Sequence, residues 1–329
     1  MFSFHSPRIN GNLLLFLIKA KLQKRKRWRV GKMSMFINIL TSLILIAMLV
    51  FIYKKREENE ANLGFKIIGY YLLGSFTFRM NAFPVPLGFL IFLFFFRPTA
   101  NRTAKHYSAY LGLAFFVLQL IIPAVDEYWY ERPRDIEASS TNMYQVPFAK
   151  DWLTIQEKLD IDPDARLEKF RAEYQKDGEI IRLSYDAVGQ SDNEFVYYDI
   201  DFSSETQAYT VKRRKVGPQW LQYDRSVFAS RFFEVFDEVQ VRNLSPEDSF
   251  DRILLNSDGE FTSYAIEKGK KYLIRGKEIR ELTNEELPVE GYTISACGRT
   301  TYETTSSYTR SSGCLGEVDY FFDALLNRS

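Results

Sequence analysis

The strongly apolar runs of this chain are gathered in residues 35–125, ahead of a polar, acidic stretch that continues to residue 329. Residues 35–53 (MFINILTSLILIAMLVFIY) and 107–125 (YSAYLGLAFFVLQLIIPAV) each run 19 residues without a charge. At 1.5 Å rise per residue each reaches about 28 Å, close to the ~30 Å hydrocarbon core of a bilayer. Neither carries the polar stripe of a helix on a water-soluble core.

Two shorter runs lie between them. Residues 65–78 hold one charge, Lys66, and residues 82–96 end in FLIFLFFF. Arg79, Asn81, Pro84 and Pro86 separate the two. One kinked span would leave Arg79 near the bilayer centre, at roughly 2.5–3.5 kcal/mol. The pattern therefore predicts a helical hairpin turning at RMNAFP, and an anchor of about four transmembrane helices. A three-span arrangement stays open.

Basic residues in short loops set orientation. Lys54, Lys55, Arg56 and Lys66 follow the first run, and Arg97, Arg102 and Lys105 precede the last. Both loops are expected in the cytoplasm, which puts everything after Val125 outside. Tyr128, Trp129 and Tyr130 then fall where an outer aromatic belt is expected. Residues 1–34 conflict with this threading, because residues 19–32 carry eight lysines and arginines. Three readings compete for this basic segment: a cytoplasmic tail with fewer spans, a patch for anionic lipid or nucleic acid, and translation that begins at Met33 or Met35. The last is preferred because it removes the conflict.

Charge divides the chain at the same place. Residues 1–125 hold 17 basic and 3 acidic side chains, and residues 126–329 hold 26 and 39. An acidic C-terminal half is poorly suited to nucleic acid, so none is expected as a partner. Residues 126–148 read as a juxtamembrane linker and residues 149–329 as an extracytoplasmic α+β domain with antiparallel sheets and packed helices. In that domain, helices are expected over 150–159, over 162–177 (Asp162 as cap, with Leu167, Phe170 and Tyr174 at helical spacing), over 224–239, from Ser245, and at Val318, Phe321, Phe322 and Leu325. Strands are expected over 180–188, 194–202, 207–216 and 292–304. A hairpin is expected to join 261–266 to 271–274. The order of a helix and three strands recurs about twice, which suggests two related halves.

Chemistry is sparsely marked. Cys297 and Cys314 are the only cysteines, and both fall in the domain placed outside, so a disulfide is expected. The chain-entropy model gives such a loop about 3 kcal/mol. Asp160, Asp162 and Asp164 resemble the start of a calcium loop, but Ala165 and Arg171 stand where Gly and Glu are required, so no metal is assigned. His5 and His106 are the only histidines. Their positions exclude Ser-His-Asp or Cys-His catalysis, and the usual zinc sites, from the acidic half. No catalytic residue and no cofactor is assigned. Lys212, Arg213, Arg214 and Lys215 form a basic run that reads either as a binding patch or as a strand edge kept soluble by charge. Asn101 and Asn243 begin glycosylation-like triplets and carry no weight. The apolar runs lack the acidic or paired charges that ion-coupled transport uses.

The expectation is a multi-pass protein of the cell membrane, in a bacterial cytoplasmic membrane, whose exported domain serves binding or assembly. Its partners are the lipid bilayer and another envelope or membrane protein. An envelope enzyme using carboxylates, and an accessory subunit of a transporter or sensor, are the alternatives. A deep pocket with two acids of raised pKa would favour the enzyme. An exposed apolar patch or open sheet edge would favour the binding module.

Overall fold

The computed structural model describes residues 39–80, 83–191, 194–220, 222–244, 250–299 and 314–326. The basic N-terminal segment lies outside them. The chain divides into two compact units, Met1–Val125 and Asp126–Ser329.

In the first unit, helices α1 (Ile39–Lys54), α2 (Leu63–Ser75), α3 (Leu87–Phe95) and α4 (Arg102–Glu131) are joined by short loops, and a hairpin of β1 (Phe78–Met80) and β2 (Phe83–Val85) connects α2 to α3. The four-span anchor is corrected here. Among the described residues only α4, with 30 residues, is long and apolar enough to cross a membrane. The 13 residues of α2 and 9 of α3 reach only about 20 and 14 Å as helix. Their apolar runs were longer in the sequence because each continues into extended backbone: Phe76 leaves α2 in a β conformation, and Arg79 pairs with Pro84 in the hairpin.

The helices of this unit pack through small residues. Ala104, Ser108 and Gly112 recur every fourth residue on α4 and are buried, as is Ala109. A Cβ at Gly112 would overlap the backbone of Tyr71 and Ser75, and one at Gly74 would overlap the Ala109 carbonyl. The Ser108 hydroxyl donates to the Ile67 carbonyl at 2.5 Å. Large apolar side chains point outward instead: Phe94 and Phe95 are 71% and 80% exposed.

The second unit is built on one eleven-stranded sheet, with the order β11-β10-β13-β12-β8-β4-β5-β6-β7-β3 and β9 added beside β12. The strands are β3 (Arg134–Glu137), β4 (Arg166–Gln175), β5 (Ile180–Ser191), β6 (Glu194–Ser203), β7 (Ala208–Gly217), β8 (Arg252–Ser257), β9 (Thr262–Tyr264), β10 (Lys270–Arg275), β11 (Glu278–Glu281), β12 (Val289–Arg299) and β13 (Leu315–Leu326). All pairs are antiparallel except β10 with β13. Helices α5 (Phe148–Leu159) and α6 (Ala229–Val239) supply the apolar cover of one face. There Phe170 of β4 meets Phe232, Phe233 and Phe236 of α6, and Trp152 of α5 meets Tyr185 of β5. The N-terminus of α5 has no side-chain cap of its own; Asp237 of α6 accepts the Phe148 and Ala149 N–H groups at 2.9 and 3.0 Å.

Several expected elements are corrected. Two related halves are replaced by a single sheet. Residues 166–175 form β4, not a helix. A bulge between Leu167 and Lys169 turns Leu167 to the same face as Phe170, Ala172 and Tyr174, so a strand produced the three-then-four spacing of a helix. Residues 315–326 form β13. Val318, Tyr320 and Phe322 face the main core while Phe321 joins Leu273, Leu282 and Val289 in a second one, so both faces are apolar and the alternation is lost. Residues 252–257, placed in the helix begun at Ser245, form β8; residues 245–249 lie outside the description. The expected 261–266 to 271–274 hairpin is absent among the described residues, since β9 pairs with β12 and β10 with β11 and β13. The linker is also structured: α4 continues to Glu131, and β3 borders β7.

Candidate functional site

The face of the sheet away from α5 and α6 carries the small Phe321 core at its β10–β13–β12 end and is largely polar over β4 to β7, and strand register fixes its pattern. One row of paired residues crosses nine strands: Lys271, Asp319, Ser295, Asn256, Arg171, Ser184, Asp201, Thr210 and Asp135. Within it Ser295 donates to Asp319 at 2.6 Å and Thr210 to Asp135 at 2.7 Å. A parallel row sets Lys169 beside Asp186, Asp186 beside Asp199, and Asp199 beside Lys212.

That second row opens into a cleft of about 490 Å³, lined by Glu131, Asp186, Tyr197, Asp199, Lys212, Arg213 and Arg214. Two side chains of the predicted basic run, Lys212 and Arg214, are thus brought to the same face as the Asp186 and Asp199 carboxylates. Alternation along β7 splits the run between faces. Lys212 and Arg214 share the polar face, and Arg214 lies 4.8 Å over the Tyr197 ring. Arg213 turns the other way: its Nε donates to the Tyr130 carbonyl at 2.9 Å and its guanidinium stacks 4.0 Å from the Tyr130 ring. It therefore ties β7 to Tyr130 within the second unit. Lys215 pairs with Glu194 at 2.9 Å, apart from the cleft lining.

Burial raises the Asp186 carboxyl above its ordinary value; the charges of Asp199 and Asp201 push it further, against the Tyr197 hydrogen bond and Lys169. The Tyr197 hydroxyl is raised by its own burial and by that same bond to Asp186. Nothing in the linear spacing singles out Asp186 among the 39 acids of residues 126–329, because strand register places it in the cleft.

Other candidates have structural work. Cys297 on β12 is buried and lies at disulfide distance from Cys314, with Cα atoms 5.4 Å apart. Asp162, expected as a helix cap, accepts the Asp164 N–H at 3.1 Å in a turn before β4. Asn243 donates to the Val239 carbonyl at 2.7 Å behind α6. A second cavity of about 470 Å³ includes Tyr144, Asp237 and Arg242, but Asp237 is engaged by α5. The two open edges of the sheet, β3 and β11, are four residues each and charged, which suits protection better than strand addition.

One polar cluster escaped the sequence reading. In the first unit Glu60 accepts from Lys66 at 2.6 Å, from Lys105 at 2.9 Å and from Asn101 at 3.0 Å. These donors hold its carboxyl at about 2. Asn101 is 1% exposed and also bonds the backbone of Glu57 and Glu58. The available signal was scarcity: Glu60 is one of three acids in the first 125 residues.

A family model described as an archaeal family matches residues 150–321. No curated protein and no solved structure matches the chain.

Proposed function

We propose, from the premise that the chain belongs to this archaeal family, that it is an integral membrane protein which presents its sheet domain outside the cell for binding or assembly. Archaeal membership weighs against the bacterial origin expected from composition. In this reading α4 crosses the bilayer. Arg97, Arg102 and Lys105 stand at its cytoplasmic start, and Asp126, Glu127, Tyr128 and Trp129 at its outer end. The lipid bilayer and a second surface protein are its partners.

The observation that carries the reading is the polar part of the sheet face over β4 to β7, with the Lys212 and Arg214 cleft upon it. An open cleft of this kind suits a partner's surface better than a sequestered reaction. The cysteine pair supports an oxidising location. The carboxylate-enzyme reading draws on one observation, the raised Asp186 facing Asp199.

The test is sidedness. A reporter that is active only after export, fused behind Ser329, is expected to be active, and protease added to intact cells is expected to remove the domain. Activity confined to a cytoplasmic reporter would overturn the proposal.

A further inference from the structure

The domain is acidic as a whole, yet the middle of its polar sheet face is basic. Arg171, Arg182, Arg252 and Arg299 come from four adjacent strands, β4, β5, β8 and β12. Register places Arg182 beside Glu173, Arg299 beside Arg252, and Arg171 two residues from Glu173 on the same face of β4. Glu173 is the one carboxylate among the residues paired with these four: its side chain is 12% exposed and lies 3.4 Å from Arg299 and 3.9 Å from Arg252. One carboxylate cannot balance four guanidinium groups. Arg182 is exposed, and the Nε atoms of Arg171 and Arg299 are buried without a hydrogen-bond partner.

We infer that this patch docks a linear polyanion bearing carboxylates, an acidic polysaccharide of the cell exterior. Guanidinium groups form paired hydrogen bonds to planar oxyanions. Their arrangement on a flat sheet gives charges spaced about 5–7 Å across and along the strands, which fits a repeating chain better than a single small ion. The four arginines have Ser184, Asn256, Gln175, Glu173 and one another as neighbours in register, with no aromatic ring among them. Among the described residues these register neighbours thus supply no stacking platform of the kind that holds single-stranded nucleic acid. The choice of an exterior glycan rests on the extracytoplasmic reading; the anion chemistry of the patch does not.

The experiment uses the full chain in neutral detergent with polygalacturonate as probe. Binding is expected at low salt, weakening as salt rises. The Arg171→Gln/Arg182→Gln pair is expected to weaken it by about tenfold, the loss of two charge-assisted contacts. Arg182→Gln alone, at an exposed position, is expected to weaken it by about threefold with an unchanged circular dichroism spectrum. Lys268→Gln/Lys277→Gln removes the same charge elsewhere and is expected to leave binding unaltered. No binding by the wild-type chain, equal losses in the two double variants, or stronger capture of a DNA oligonucleotide than of polygalacturonate would each overturn the inference. The sidedness test is separate: an inward-facing domain that still binds the probe through these arginines refutes the location and keeps the site.

Discussion

The two units solve packing in opposite ways. The sheet domain hides its largest side chains: Trp152, Phe170, Phe232, Phe233, Phe236 and Phe322 are all fully buried. The helical unit buries fewer, Phe89, Phe92 and Ile67 among them, turns Phe65, Phe94 and Phe95 outward, and closes its helices on Ala104, Ser108, Ala109 and Gly112. Water drives the first arrangement, because each buried ring removes apolar area from it. In the helical unit close backbone approach at small residues with a few hydrogen bonds accompanies a smaller aromatic cluster, the pattern expected where lipid replaces water, as the proposed membrane location requires. An aromatic side chain therefore carries different weight in the two units.

Substitution at equivalent residues tests that contrast most strongly. Phe170→Ala leaves a cavity among five other aromatic rings, Phe148, Tyr185, Phe232, Phe233 and Phe236, and is expected to cost about 3–5 kcal/mol in urea unfolding of the sheet domain. Phe95→Ala, at an exposed position, is expected to stay within about 0.5 kcal/mol in detergent. Comparable losses would show that the helical unit also has a water-driven core.

The next effect is expected at a glycine. Gly112→Leu places a side chain into the backbone of Tyr71 and Ser75, and overpacking of this kind costs about 1–3 kcal/mol. Titration of detergent-solubilised protein with dodecyl sulfate should show earlier loss of the helical unit, with Gly112→Ala between the two. An unchanged midpoint would refute the small-residue interface.

The smallest effect distinguishes the two faces of the sheet. Asp186 has a folded-state pKa raised above its ordinary 3.8. Just above that pH the folded chain keeps a proton that the unfolded chain has released, so stability falls as pH rises through the interval between the two values. Asp186→Asn should flatten that slope and leave stability at lower pH unchanged. A slope unaffected by the substitution would place the titrating group elsewhere.

Legibility followed the same division. The strands over 180–188, 194–202 and 207–216 were readable because each has one wet face, and period two survives there. The strands now labelled β4 and β13 were not. A bulge at Leu167 and a second core around Phe321 broke the alternation and left helical spacing in its place. The basic run at 212–215 was visible as composition, but its division between the cleft and Tyr130 was not. Asp186, Glu173 and the four arginines were invisible as a group, because they come from strands far apart in sequence.

The amino-acid order by itself determined that an apolar segment precedes an acidic domain, and that Cys297 and Cys314 belong to that domain. These are matters of composition along the chain, and no long-range contact is needed to read them. Only the tertiary structure decided that, among the described residues, α4 alone is long enough to cross a membrane, and that the acidic domain gathers four arginines on adjacent strands of one sheet face. Helix ends and strand register depend on what packs against them, and a linear pattern does not contain that information.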